Sequence, residues 1–546
     1  MSDQSEAAGD ARPALGSGFE NPESPAQASR SLSPEAAGDA RPAGQEACLL
    51  PNGGNSPALL LVAALATAGL GFALARGWEA GIPGEWVWRR NDLPVHLWGA
   101  LVVGLGLAAL SAALCRRGAW QRMGRASRAV SFLALIVLVF AFQLALLNAV
   151  GIPWVAPGAY IISPNATTYF QVSLGVELPG EWIARYPELL STLPYHAATH
   201  PPGFVLFFWL MRKLAALMPA PPSAVLDTLA ALGDALGLSL TRSDALAAIV
   251  SALVIALLGV LGLIPLYLLA RSLAGPQTAI CATCLAASMP GLVLLGASPD
   301  LILMTLAIGT LYRAYQGYRG SWLFALAAGF ILAAGLFLSL AFALVGVWAL
   351  IWAVFGLVRS ARRGAALRGL LRTAALALAG FAAVYLALYW AAGYRPVATA
   401  LQALSAHRSV TTIEAARTYW KWVLMNPVEC LIFTGLPAVV GALWSLPHLR
   451  GERRLRGERR LRRSGSVRLV SFLSAWLVLF LLLDLSGAVR GEVGRIWLFL
   501  LWPVAIAAGA AVSARADAGR ATALLVFMQV AQALMMKGYL TIYSIL

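Results

Sequence analysis

Residues 245–270 read ALAAIVSALVIALLGVLGLIPLYLLA, 26 positions without one charged side chain. A helix needs roughly 20 apolar residues to cross the hydrocarbon core of a bilayer. A helix that is apolar all round has no face to offer water, so it belongs inside a large core or a membrane. Comparable runs recur at about 57–75, 95–115, 130–149, 203–218, 277–297, 300–316, 321–338, 340–358, 372–392, 427–446, 469–487, 495–513 and 520–543. Of the 546 residues, 59% are hydrophobic and 12% charged, with a mean hydropathy of +0.73. A soluble domain carries about 25% charged residues, so a water-soluble chain is excluded. The pattern predicts an all-α polytopic membrane protein with about 13 transmembrane helices.

The net charge of +16 comes from arginine, because Lys213, Lys421 and Lys537 are the only lysines. Five arginines fall in 116–128, five in 359–372, and the tandem RGERRL repeat (450–455, 456–461) lies in 448–468. Basic loops between apolar runs mark the cytoplasmic side, with anionic lipid headgroups as partners. No soluble basic domain exists to hold a duplex, so nucleic acid is excluded as a partner. Residues 1–55 are poor in large apolar side chains and repeat EAAGDARPA at 6–14 and 35–43. That composition predicts a disordered cytoplasmic tail without the apolar core of a signal peptide, ahead of a membrane domain over 56–546. The expected location is the cell (inner or plasma) membrane, multi-pass.

The basic loops place 150–202, 393–426 and 488–494 on the outer side. One conflict remains: three apolar stretches between residue 202 and Asp300 would put Asp300 on the cytoplasmic side, whereas the later basic loops require it outside. A segment within 203–243 that fails to cross resolves this. Cys281 and Cys284 form a CxxC inside an apolar run, with no second pair at zinc-ligand spacing, and are read as small buried hydrophobes.

A carrier places polar residues within its spans. Here the spans are nearly free of charge, and the unusual polar residues gather in outer loops, which favours chemistry at the membrane surface. The first outer loop holds Trp154, Tyr160, Tyr169, Trp182 and Tyr186, aromatic types that settle at the headgroup layer. Its stretches 166–176 and 179–193 have the character of surface helices. Glu177, Glu181, Arg185, Glu188, His196 and His200 supply titratable groups. The loop ends in YHAATHPPG, 195–203. Pro201 and Pro202 suit a first helical turn, and His200 before them is driven to extended backbone. Gly203 leaves the first-turn N–H groups open, so a phosphate has room to rest there with a hydrogen bond from His200. The plainer reading is a stiff helix start with an interfacial histidine.

The order of two motifs, THPPGFVLFFWL (199–210) closing a long outer loop and SPD (298–300) opening a later span, resembles the GT-C superfamily of membrane glycosyltransferases. Within that superfamily it resembles especially the dolichyl-phosphate-mannose protein mannosyltransferase-like group, over about 130–320. The resemblance implies a long catalytic-type outer loop with surface helices. It also implies transfer of a sugar from a polyprenyl-phosphate carrier to a lipid, glycan or protein acceptor at the outer face, by inverting displacement. In that chemistry a carboxylate takes the acceptor proton and cations hold the leaving phosphate. The chain departs from the family where an acidic residue precedes a tyrosine: SPNATTYF places Asn165 four residues before Tyr169, and an amide cannot be a base. The base then falls to Asp300 or Glu177. Substrate contacts are expected from Asn165, Tyr169, His196, His200, Pro201, Pro202, Gly203, His407, Arg408, Arg490 and Arg495. Arg495 ranks first among the phosphate ligands because it abuts the span IWLFLLWP. The residues assign no cofactor, and a divalent metal is the one candidate. A flippase of lipid-linked saccharides and a non-catalytic relative are the alternatives.

Overall fold

The computed structural model describes residues 57–219, 222–414, 417–451 and 460–542. The predicted tail at 1–55 therefore lies outside the described residues, as does most of the RGERRL repeat. Helices Leu436–Gly451 and Arg460–Ser486 take up both ends of the predicted 448–468 loop. The described chain is all-α apart from a two-stranded hairpin, Gly81–Ile82 with Trp86–Val87.

Among the described residues seven helices are long and apolar enough to cross a membrane, and Tyr419–Thr434 with Leu436–Ser445 is a further candidate bent by 101°. Three shorter apolar helices, Trp98–Leu114, Trp322–Leu338 and Leu498–Ser513, run alongside. Among the described residues the membrane-capable helices thus number seven or eight, fewer than the about 13 read from hydropathy, with the broken stretch Pro276–Leu294 and the helix Asp300–Tyr318 outside that set. The shortfall in long helices has a local cause. Pro290 opens a new helix after the break at Ser288–Met289, so that single apolar run becomes two pieces. The predicted surface helices are likewise divided, into Tyr169–Leu174, Pro179–Ala184 and Tyr186–Leu189.

Contacts between helix ends define two ends of the bundle. At the arginine-rich end, Gln277 donates to the Cys115 carbonyl at 2.9 Å, and Arg372 to the Gly317 carbonyl at 3.2 Å. At the opposite end, Gln143 donates to the Leu292 carbonyl at 2.8 Å and Gly296 packs on Leu147. The chain therefore returns between 277 and 296 to the end where the first long loop began. Helix Gly203–Ala216 has 14 residues, too few to span at 1.5 Å each. Its Arg212 pairs with Asp244 at 2.8 Å and donates to the Ser173 carbonyl at 2.6 Å, so it stays beside the first loop. That settles the crossing conflict: Asp300 stands at the end opposite the basic loops.

Close backbone approach holds neighbouring helices together. A Cβ on Gly329 would meet the Ala377 carbonyl oxygen at 1.8 Å, and one on Gly380 the Leu326 oxygen at 2.3 Å. Helices Trp322–Leu338 and Arg363–Ala392 thus pack through small residues, as lipid-embedded helices do where no hydrophobic effect drives association. Cys281 and Cys284 are fully buried free thiols, as expected of small hydrophobes. The spans are less charge-free than their averages suggest, because Glu429, Asp484 and Lys537 are each buried within them. Replacing Gly329 by Ala should lower the thermal midpoint in detergent by several degrees, an overpacking cost of about 1–3 kcal/mol. Gly69→Ala, whose Cβ meets nothing within 4 Å, should leave it unchanged. Fluorescence-detected size-exclusion after heating reads both.

Candidate functional site

Arg495 sits in a short helix, Val493–Ile496, that starts from Glu492 in the left-handed region at φ 58°. Such backbone costs a non-glycine residue on the order of 1 kcal/mol and persists only where surroundings hold it. The Arg495 side chain is 16% exposed. Its Nη2 donates to Glu492 Oε2 at 2.9 Å, its Nη1 to the Ala166 carbonyl at 3.1 Å, and its Nε lies 4.0 Å from Asp300 Oδ2. A guanidinium this enclosed needs such partners, since an unpaired buried charge is strongly destabilising. Asp300 begins helix Asp300–Tyr318, where a carboxylate complements the helix dipole, and Ser298 Oγ donates to it at 2.8 Å. The Tyr160 hydroxyl lies within electrostatic reach of both Arg495 and Asp300.

These groups border a cavity of about 480 Å³. Tyr160, Asn165 and Ala166 line one side, Glu492 and Arg495 the next, and residues 84–89 of the hairpin face them; Thr541 and Ile542 complete the wall. The hairpin is fixed by Glu85. Burial pushes its carboxyl up, but donors from the Thr418 N–H and hydroxyl, Lys421 and Trp422 at 2.7–2.9 Å outweigh that and hold it down at about 2. A second tie joins Trp88 Nε1 to Glu429 Oε1 at 3.0 Å. Sequence reasoning missed this wall. Its signal was the dense WVWRR carrying Trp86, Trp88 and Arg89 in a loop between two spans.

The histidine corner is a packed joint beside the cavity. Pro201, Pro202 and Gly203 are buried. A Cβ on Gly203 would meet the Phe337 carbonyl oxygen at 2.4 Å, so glycine is required by close approach and the first turn is walled by backbone. His200 Nδ1 lies 2.9 Å from the His196 carbonyl and 3.0 Å from the Thr199 hydroxyl, so this edge of the ring is engaged within the corner itself. Tyr169 meets the His200 ring edge-on at 5.6 Å, and Tyr186 Oη donates to the His200 carbonyl at 2.9 Å. His196 and His200 both lie within the field of Arg495, and His407 within reach of His200. The other expected residues are placed apart. Glu177 is exposed and Arg408 is exposed on helix Pro396–Glu414, while Arg490 turns to Tyr419 and the Arg417 carbonyl. Among the described residues no group of three His, Cys, Asp or Glu is placed to hold a metal.

Burial lowers His196 to about 3 and His200 to about 4, with the Arg495 charge adding to both shifts. Folded values below the unfolded value of about 6.5 mean that the unfolded chain binds protons first. Stability is therefore complete above about pH 6.5 and falls as pH drops toward 4. Thermal midpoints at pH 7 and pH 5 should separate in the wild type and draw together in a His196→Asn, His200→Gln variant.

No family model and no curated protein matches the sequence. Among solved structures the chain is similar to the oligosaccharyltransferase of Archaeoglobus fulgidus in complex with zinc and sulfate, at 17% identity over 74% of this chain and 53% of that one, TM-score 0.44. It is also similar to the same enzyme tethered with an acceptor peptide containing the NVT sequon, at 15% identity over 75% and 55%, TM-score 0.39. A third similarity is to ArnT from Cupriavidus metallidurans in the apo state, at 16% identity over 74% and 78%, TM-score 0.29. The chain spans little more than half the length of the first two. None superposes closely enough to transfer a residue.

Proposed function

We propose that this polytopic membrane protein is a glycosyltransferase that moves a sugar from a polyprenyl-phosphate carrier to an acceptor at the outer face of the cell membrane. The observation that carries the reading is the Arg495 guanidinium held between Asp300 and Glu492 at the edge of a cavity opposite the basic loops. By the loop-charge bias that end is outside and the N-terminal tail cytoplasmic.

The displacement divides into two charge problems. The bond between the anomeric carbon and the phosphate oxygen breaks, and its electron pair leaves on the lipid phosphate. Arg495 meets that developing charge, joined at the rim by Arg89, which lines the same cavity. The acceptor oxygen forms the new bond and loses its proton to a carboxylate. Glu492 stands on the cavity wall and takes that role, while Asp300, fixed by Ser298, orients the guanidinium from behind. Attack opposite the leaving group inverts the anomeric centre. The acceptor is a lipid, glycan or protein hydroxyl. The His196–Gly203 corner packs beside this site, within the field of the Arg495 guanidinium.

Purified protein in lipid nanodiscs, given polyprenyl-phosphate sugars and an acceptor panel, should release polyprenyl phosphate and glycosylate an acceptor. Arg495→Ala should lower kcat by about 10²–10³-fold and Glu492→Gln by a similar factor. Asp300→Asn should cost less, and Glu177→Gln nothing measurable. Wild-type activity in Arg495→Ala, or no transfer across the panel, overturns the assignment.

A further inference from the structure

The loop that presents Glu492 and Arg495 is an improbable piece of backbone. Gly487, Gly491 and Glu492 all have positive φ, at 60°, 96° and 58°, and Glu492 has a side chain to be accommodated there. Two buried polar residues one helical turn apart on Tyr419–Thr434 grip it. Asn426 Oδ1 accepts from the Gly491 N–H at 3.2 Å, and Asn426 Nδ2 donates to the Val489 carbonyl at 3.0 Å and to Asp484 at 3.2 Å. Glu429 Oε1 accepts from the Gly494 N–H at 3.0 Å and from Trp88 of the hairpin. Asn426 is wholly buried and Glu429 is 1% exposed. Gly491 packs so closely on the same helix that a Cβ would lie 3.0 Å from Trp422.

We propose that Asn426 and Glu429 are positioning residues, a clamp that holds 489–494 in the form that turns Glu492 and Arg495 into the cavity and locks the hairpin wall to the same helix. The polar cost of burying an amide and a carboxylate inside a span is offset by the backbone groups they satisfy at 489, 491 and 494. Neither residue touches the cavity, so each acts through the loop. The consequence for the transfer reaction rests on the glycosyltransferase reading above; the clamp itself does not.

The test uses full-length protein in nanodiscs. Amide exchange across 487–497 should rise about tenfold in Asn426→Ala and in Glu429→Leu, the loss expected when a buried acceptor is removed. Exchange in the distant helix Arg125–Leu147 should stay as in the wild type. Glu429→Gln keeps an acceptor oxygen and should restore protection, so it serves where Glu429→Leu fails to fold. The donor KM should rise about tenfold with loop exchange, while the acceptor KM stays within about twofold. Unchanged exchange at 487–497, or a rise spread evenly over all helices, overturns the clamp. Local loosening in a protein that transfers no sugar supports the clamp and removes the transferase reading; normal loop protection in variants that lose activity removes the clamp alone.

Discussion

The pairing of Arg495 with Asp300 and Glu492 is the constraint on which the rest of this end of the molecule depends. A guanidinium 16% exposed, at the mouth of an apolar helix bundle, is tolerable only if several donors find partners at once. Those partners come from three separate stretches: the Ala166 carbonyl in the first long loop, Asp300 after the broken pass 276–294, and Glu492 in its own loop. Moving any one of them strands a buried charge. The ion cluster therefore sets where the first loop lies, which end of the bundle the SPD corner reaches, and how the 487–497 loop is bent.

The membrane explains why so much of the remaining polar chemistry is backbone-directed. Lipid offers no compensating hydrogen bonds, so loops that dip toward it must be closed by protein groups. Tyr186 does this for the carbonyls of 197 and 200, Arg212 for that of 173, and Asn426 for both an N–H and a carbonyl of the 489–491 turn. The histidine corner belongs to the same class. Its prolines and glycine make a joint against Phe337, and its histidines are held neutral by burial.

Much of the fold was legible because hydropathy is additive along a chain: the all-α class, the passes and the basic end follow from runs of apolar residues and clustered arginines. The pairing of Arg495 with Asp300 was partly legible, since each is a charge at the edge of an apolar run. The proposal of Glu492 in place of Glu177 as base had no such signal, because the two glutamates look alike in sequence and differ in what the chain folds against them. The hairpin wall was hidden for another reason. A two-residue strand pair has no periodicity to detect, and its position is set by Glu85 contacts more than 330 residues away in the chain. Asn426 and Glu429 were obscured by averaging, since one glutamate in an apolar span barely alters its hydropathy.

The distribution of ion pairs carries the argument about sidedness one step further. Of the seven described pairs, only Arg515 with Asp517 stands at the basic end; Arg212, Arg242, Arg395, Lys421 and Arg495 find carboxylates at the other. With the basic end taken as cytoplasmic by the loop-charge bias, cations there face anionic lipid headgroups, whereas a cation at the far end lacks that company. Pairing at the far end compensates for it, and it does so most completely at Arg495, the most enclosed of the five. A site whose cation is already shared between two carboxylates attracts a free anion weakly. Under the proposed transfer such a site favours a ligand whose negative charge grows during the reaction, as the carrier phosphate leaves and the guanidinium shifts from ground-state carboxylate to departing oxygen.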